Sequence, residues 1–110
     1  MALVPSGSRE TGILQKDLFV GQAATSNGSW REVRGIRPIV VTVRGTFVGT
    51  VRIYVNCEAN VPPDSDNTSA QFGGDITSPN FVLVDMPVMW IKAVVSVYTS
   101  GSINVSFMAG

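Results

Sequence analysis

The chain contains no histidine among its 110 residues. Histidine is the side chain that most often serves as a general base near neutral pH, and it is a common zinc ligand. Its absence excludes the Ser-His-Asp arrangement and most zinc sites. The sequence also lacks the Gly-x-Ser-x-Gly, Walker and dinucleotide-binding patterns. We therefore expect a protein that is not an enzyme and that binds no cofactor and no metal.

Cysteine is nearly absent as well, since the chain has only Cys57. No intrachain disulfide can form, so the fold must be stabilised by packing. Cys57 continues an alternating apolar pattern at the end of residues 43–57. This position predicts a small buried side chain rather than a reactive thiol.

Charge is sparse and balanced, with eight basic and eight acidic residues. Proteins that bind nucleic acid normally carry a basic surplus, because neutralising phosphates supplies most of their affinity. We therefore expect no nucleic-acid partner.

No apolar run approaches the roughly 20 residues of a membrane span. The first ten residues, MALVPSGSRE, lack the basic start and apolar stretch of a signal peptide, so we expect no membrane association.

Acidic residues are the remaining candidates for chemistry. Paired carboxylates hydrolyse glycosides, and five acids could supply a pair: Glu58, Asp64, Asp66, Asp75 and Asp85. All but Asp85 lie in the polar segment 58–79, where solvated acids are the simpler interpretation. The run Asp64–Asn67 offers oxygens to calcium, but the glycine and closing glutamate of an EF-hand loop are missing.

The clearest structural signal is the alternation in residues 43–57, VRGTFVGTVRIYVNC. Apolar residues occupy one parity, as a half-buried β-strand requires. The other parity forms a wet face of mostly polar side chains: Arg44, Thr46, Thr50, Arg52 and Tyr54. Gly49 interrupts the apolar parity and predicts a bulge or a close backbone approach.

Further strands are predicted at residues 30–33, 36–43, 80–84 and 90–97. Pro38 lacks an amide donor and indicates a strand start, an edge or a bulge. The continuous apolar run 80–84 favours a strand buried on both sides. The strand at 90–97 and the one resuming at Ile103 predict a hairpin across residues 98–102. Part of the segment 58–79 is expected to form a short strand or a binding loop.

Together these strands predict an all-β fold, a single antiparallel β-sandwich of jelly-roll type. We expect the sandwich to occupy residues 18–110 as one domain. Its predicted core comprises Phe47, Val51, Ile53, Val55, Ile91, Val95, Ile103, Val105 and Phe107. Residues 1–17 show no sustained period and are predicted to form an extended N-terminal arm. Leu3, Val4, Ile13 and Leu14 would give such an arm apolar contacts with a partner.

Three segments carry a resemblance to a known group of proteins: SWREVRG, VRGTFVGTVRIYVN and MWIKAVVSVYTSGSINVSF. Over about residues 29–108 the chain resembles small β-sandwich virion proteins of tailed bacteriophages. It is most similar to the capsid decoration proteins (cement or staple proteins) of short-tailed phages. The resemblance implies a virion protein, made in the host cytoplasm, that binds the capsid surface. It implies the major capsid protein as partner and a homo-oligomer, with a dimer favoured.

Seven residues are candidates for the interface with the capsid or with a second subunit. Leu3, Val4, Ile13 and Leu14 come from the arm, and Arg44, Arg52 and Tyr54 from the wet face, since Arg and Tyr are favoured anchors. The alternative is a receptor- or carbohydrate-binding domain of a phage fibre or baseplate. That alternative would use Trp30, Trp90 or the segment 58–79, although we favour the two tryptophans as caps at the ends of the sandwich.

Overall fold

The protein is described by a computed structural model that covers residues 14–66 and 70–110. Every helix or strand in this part of the chain is a β-strand, which confirms the all-β prediction. The strands are β1 (Leu14–Gln22), β2 (Arg31–Glu32), β3 (Ile39–Arg44), β4 (Phe47–Asn56), β5 (Ala70–Gln71), β6 (Asn80–Val84), β7 (Trp90–Gly101) and β8 (Ile103–Ala109).

Two four-stranded sheets make up the sandwich. Sheet A has the order β1-β8-β3-β6, and sheet B has the order β2-β7-β4-β5. All pairings are antiparallel and they are nested, because β1 pairs with β8, β2 with β7, β3 with β6 and β4 with β5. The chain is thus one long hairpin rolled on itself, which is the arrangement of a jelly roll. The predicted fold class is confirmed.

The core lies between the two sheets and follows the alternation in the sequence. Eight of the nine predicted core residues are buried, and Phe47 is partly buried against them. Ile53 and Phe107, from opposite sheets, are 0% and 1% exposed. Because successive side chains in a strand point to opposite faces, the same pattern leaves the other parity of each strand on an outer face.

The predicted hairpin of β7 and β8 is wrong. The two strands belong to different sheets, and Gly101–Ser102 carries the chain across the sandwich. Gly45–Thr46 makes a second crossing, from β3 to β4. The two crossings contact each other, since the Ser102 amide donates to the Thr46 carbonyl at 2.9 Å. A short turn between two alternating strands looks the same in sequence whether the strands pair or face each other.

Several local predictions are confirmed. Gly49 lies between two register shifts in the pairing of β4 with β7, and a Cβ atom there would overlap the Val97 carbonyl oxygen. Pro38 precedes the first residue of β3. The polar segment 58–79 contains the short strand β5, and Ile76 forms a β-bridge with Val51.

The predicted boundary between arm and domain is corrected, because residues 14–17 belong to β1 and pair with β8. Leu14 is partly buried and packs against the core, so it is not a free contact residue. Register shifts in β1 between Asp17 and Phe19, and between Phe19 and Gln22, break the alternation that would have revealed the strand. The other apolar arm residues, Leu3, Val4 and Ile13, lie outside the described residues.

Candidate interaction surface

The predicted wet face is divided between the two sheets. Arg44 lies in β3 of sheet A, whereas Arg52 and Tyr54 lie in β4 of sheet B. The crossing at Gly45–Thr46 separates them, so the three candidates do not form one continuous surface. The two outer faces differ in what covers them.

Sheet A carries an exposed apolar surface on its outer face. We call it the sheet A patch and define it as Val40, Phe81, Leu83 and Met108, which are 37%, 67%, 51% and 49% exposed. Val40 pairs with both Leu83 and Met108, so these three residues form one row across the sheet. Phe81 lies in the next row, opposite Thr42. Contiguous exposed apolar side chains of this kind are typical of interaction sites.

The same patch corrects the expectation that β6 is buried on both sides. The bounds 80–84 are as predicted, but β6 is the edge strand of sheet A. Only one parity of the strand faces the core, where Val84 is fully buried. Phe81 and Leu83 point outward, and Arg44 lies exposed at the margin of the patch. The run 80–84 is apolar throughout because one parity packs in the core and the other forms part of the exposed sheet A patch.

The outer face of sheet B is covered in the region around Tyr54. Trp30, Tyr54 and Val94 form a small second cluster there, and each is less than 8% exposed. The expectation that Tyr54 lies on a wet surface is therefore wrong. Residues 57–66 lie against this cluster, because the Trp30 indole N–H donates to the Pro63 carbonyl at 3.1 Å.

Lys92 is at the centre of this cluster and is fully buried. Its ammonium group donates to the Asp64 backbone carbonyl at 2.6 Å. It also lies 4.9 Å from the centroid of the Trp30 ring and 5.9 Å from that of Tyr54, within cation–π range. Burial lowers the pKa of the Lys92 ammonium, and the charges of Asp64 and Asp66 partly offset that shift. The contacts compensate the charge and fix the loop over sheet B.

The indole N–H groups of both tryptophans donate hydrogen bonds to backbone carbonyls of the loop 57–66. The Trp90 indole N–H donates to the Glu58 carbonyl at 2.8 Å, as Trp30 does to Pro63. The Trp30 backbone amide also donates to the Asp64 carboxylate at 3.4 Å. The tryptophans therefore hold the loop 57–66 on sheet B, a role that neither the end-cap nor the sugar-platform interpretation anticipated.

Replacing Lys92 by Met should destabilise the protein by about 1–2 kcal/mol, because Asp64 loses a charged donor and Trp30 loses its cation. Urea unfolding measures the loss, and faster hydrogen exchange in residues 57–66 localises it. The matched control is Lys16→Met, at the chain's other lysine, which is exposed on β1. Equal stability of the two variants would contradict the stabilising role of Lys92.

Arg52 is held within its own subunit. Its Nε donates to Asp75 Oδ1 at 3.0 Å, and the Gln71 amide donates to the same oxygen at 3.0 Å. The hydrogen bond from Gln71 and then that from Arg52 lower the pKa of the Asp75 carboxyl. Because this pair lies along the β5 edge of sheet B, Arg52 is less free for a partner than Arg44.

The predicted burial of Cys57 is wrong. β4 ends at Asn56, so the alternation no longer applies one residue later, and Cys57 is exposed.

Within residues 14–66 and 70–110, no three His, Cys, Asp or Glu side chains are grouped as a metal site would require. The same residues include no helix of the length and apolarity that crossing a membrane demands.

Sequence reasoning missed Lys92 and the sheet A patch. A lysine inside the apolar run WIKAVV is the signal that was available for Lys92. For the patch, Val40 and Met108 each belong to the outward parity of their strand, where an apolar residue is out of pattern. Their proximity depends on β8 and β3 being neighbours, which only the topology reveals.

Comparison with known proteins gives a fold relationship. No family model matches the chain, and no curated protein matches it. Among solved structures, the SPBc2 prophage-derived protein YomS is similar, with a TM-score of 0.61 and 14% identity over 88% of this chain and 91% of that chain. Peruvianin-I, a cysteine peptidase from Thevetia peruviana latex, is a weaker match, with a TM-score of 0.41 and 13% identity over 89% of this chain and 49% of that chain. The chain therefore shares its fold with a prophage-derived protein.

Proposed function

We propose that this protein is a structural phage protein that binds the outside of a capsid and stabilises contacts between major capsid protein subunits. The observation that carries the proposal is the sheet A patch, an exposed apolar surface on a regular sheet. The sequence resemblance to phage decoration proteins and the fold shared with a prophage-derived protein support the same proposal.

The patch has the properties of a binding surface rather than of a catalytic one. Its side chains stand on paired strands, so little backbone entropy is lost when they are covered. Arg44 at its margin supplies a cation at the rim, where polar residues are usual in interfaces. Many copies on one particle can be retained through a modest interface each, since multivalency raises the effective concentration.

A non-catalytic role is part of this proposal. The chain has no histidine, and two of its candidate acids, Asp64 and Asp75, are used in structural contacts. Asp75 binds Arg52 and Gln71, and Asp64 accepts hydrogen bonds from Ser29 and Trp30. These carboxylates position loops and edges of sheet B.

The alternative is a receptor- or carbohydrate-binding domain of a fibre or baseplate. A sugar platform needs an aromatic face open to solvent with polar groups beside it. Trp30 is 6% exposed, and the indole N–H groups of Trp30 and Trp90 are already donated to the loop 57–66. The geometry of the tryptophans does not favour this alternative.

The test is co-sedimentation with phage heads that lack the protein. Val40→Lys combined with Met108→Lys places two charges in the sheet A patch and should weaken binding by about tenfold or more, since burying an unpaired charge is costly. The matched control is Val48→Lys, because Val48 is 58% exposed on the outer face of sheet B. Unchanged binding of the double variant, or loss only with Val48→Lys, would reject the sheet A patch as the capsid contact.

A further inference from the structure

The free edge of β6 differs from the other sheet edges. In the described part of the chain four strands lie at edges, and β2 and β5 are only two residues long. β1 is interrupted by two register shifts and carries Lys16 and Asp17. Short length, bulges and charges are the usual means of protecting an edge from pairing. β6 has none of them: it is five uncharged residues, NFVLV, in unbroken register with β3.

The backbone of β6 presents hydrogen-bonding groups to that free edge. The Phe81 amide donates to the side chain of Asn80 at 2.8 Å, so it does not point at β3. In an antiparallel strand the N–H and C=O of one residue point to the same side, and the side alternates along the strand. Phe81 and Leu83 therefore direct their backbone groups outward. Among residues 14–66 and 70–110, only β3 forms backbone hydrogen bonds with residues 80–84.

We propose that two copies of this chain pair through β6, antiparallel and related by a two-fold axis at Val82. This register aligns the whole of β6 with itself. Phe81 then lies opposite Leu83 of the second copy, and the reverse pair is formed by symmetry. Both residues have outward backbone groups, so each pair forms two hydrogen bonds. The cross-strand side-chain pairs are aromatic with aliphatic, which is a favourable combination.

Charges flanking β6 complement each other in this register. Val43 pairs with Asn80, so Arg44 lies beside Pro79. Pro79 in turn lies opposite Asp85 of the second copy. Arg44 and that Asp85 are then two strand spacings apart, about 10 Å between Cα atoms, which an arginine side chain can span. Both residues are exposed, and neither takes part in an ion pair within the described residues. The two-fold axis produces this pair twice.

The dimer does not depend on the proposed capsid binding. It would join two copies of sheet A into one eight-stranded sheet, with the two sheet A patches on the same face. The combined surface would give two linked contacts with any partner. Because pairing is measured on the free protein, its failure leaves capsid binding to be judged separately.

Sedimentation of the purified full chain tests the dimer. Edge pairing buries a small interface, so we expect a reversible dimer at about 100 μM. Leu83→Lys should give a monomer, whereas Val48→Lys, of similar exposure, should dimerise normally. Arg44→Asp and Asp85→Arg should each raise the dimer dissociation constant by about tenfold through two lost pairs, and the double variant should restore it. A wild-type monomer up to about 1 mM, or a dimer retained in Leu83→Lys, overturns the proposal.

Hydrogen exchange identifies the pairing strand independently of substitutions. The amides of Phe81 and Leu83 should become more protected as protein concentration rises. In the dimer the Leu83 amide gains a backbone acceptor, and the Phe81 amide exchanges its bond to the Asn80 side chain for one to the second copy. The outward face of β1 and the edges of β2 and β5 should show no such dependence. A dimer in which the Phe81 and Leu83 amides exchange as in the monomer would overturn pairing through β6, for example in favour of contact between two sheet A patches.

Discussion

Replacing Ile53 by Asp should leave the chain unfolded. Ile53 is 0% exposed on the core face of sheet B and belongs to a cluster of buried apolar side chains, so its surroundings offer no partner for a charge. An unpaired carboxylate in such a place costs several kcal/mol, in addition to the lost apolar burial. A domain of this size is stable by about 5–15 kcal/mol in total, which the two losses together can exhaust.

Circular dichroism and urea unfolding measure this outcome. The control is Val48→Asp, because Val48 lies on the same strand at the opposite parity and is 58% exposed. That variant should fold with a change within about 0.5 kcal/mol. A folded Ile53→Asp protein with wild-type stability would contradict the placement of the core between the sheets.

Replacing Gly101 by Ala should destabilise the fold by about 2–5 kcal/mol. Gly101 has a φ of 96° at the crossing from sheet B to sheet A. An added Cβ would overlap the Thr46 carbonyl oxygen and the Phe47 Cα. A side chain at positive φ costs roughly 1–2 kcal/mol, and forced displacement of packed backbone adds about 1–3 kcal/mol.

Gly73→Ala separates the two costs. Gly73 has a similar φ of 74°, but no atom lies within 4 Å of its added Cβ. It should therefore lose only the conformational part, about 1–2 kcal/mol. Urea unfolding of both variants gives the comparison. Equal losses would show that the two crossings are not in the close contact described above.

The fold could be predicted largely because parity determines which side chains are buried. Residues 47–55 place their apolar parity in the core as expected, and so do residues 91–95 of β7 and residues 103–109 of β8. Val97 has the same parity as Ile91 but is 51% exposed, because a register shift separates it from Val95. Parity does not specify the partner strand. For this reason the Gly101–Ser102 link was predicted as a hairpin turn, and β6 as a strand buried on both sides. In β1 the bulges removed the alternation itself, so the strand was assigned to an arm.

The candidate surface was predictable only in part. Arg44 was identified from its parity and lies exposed beside the sheet A patch. Tyr54 has the same parity but is covered, because the loop 57–66 folds over sheet B and is fixed there by Lys92. Such coverage depends on contacts between residues about 28 positions apart, as between Asp64 and Lys92, which local periodicity cannot reveal.

A reconstruction of purified phage particles at side-chain resolution is the most direct test of the proposed function. We predict density for this chain on the outside of the capsid, in a copy number close to that of the major capsid protein. The sheet A patch, Val40, Phe81, Leu83 and Met108, should face the capsid protein in that density. Location of the chain in a fibre or baseplate, in tens of copies or fewer, would contradict the capsid-binding proposal.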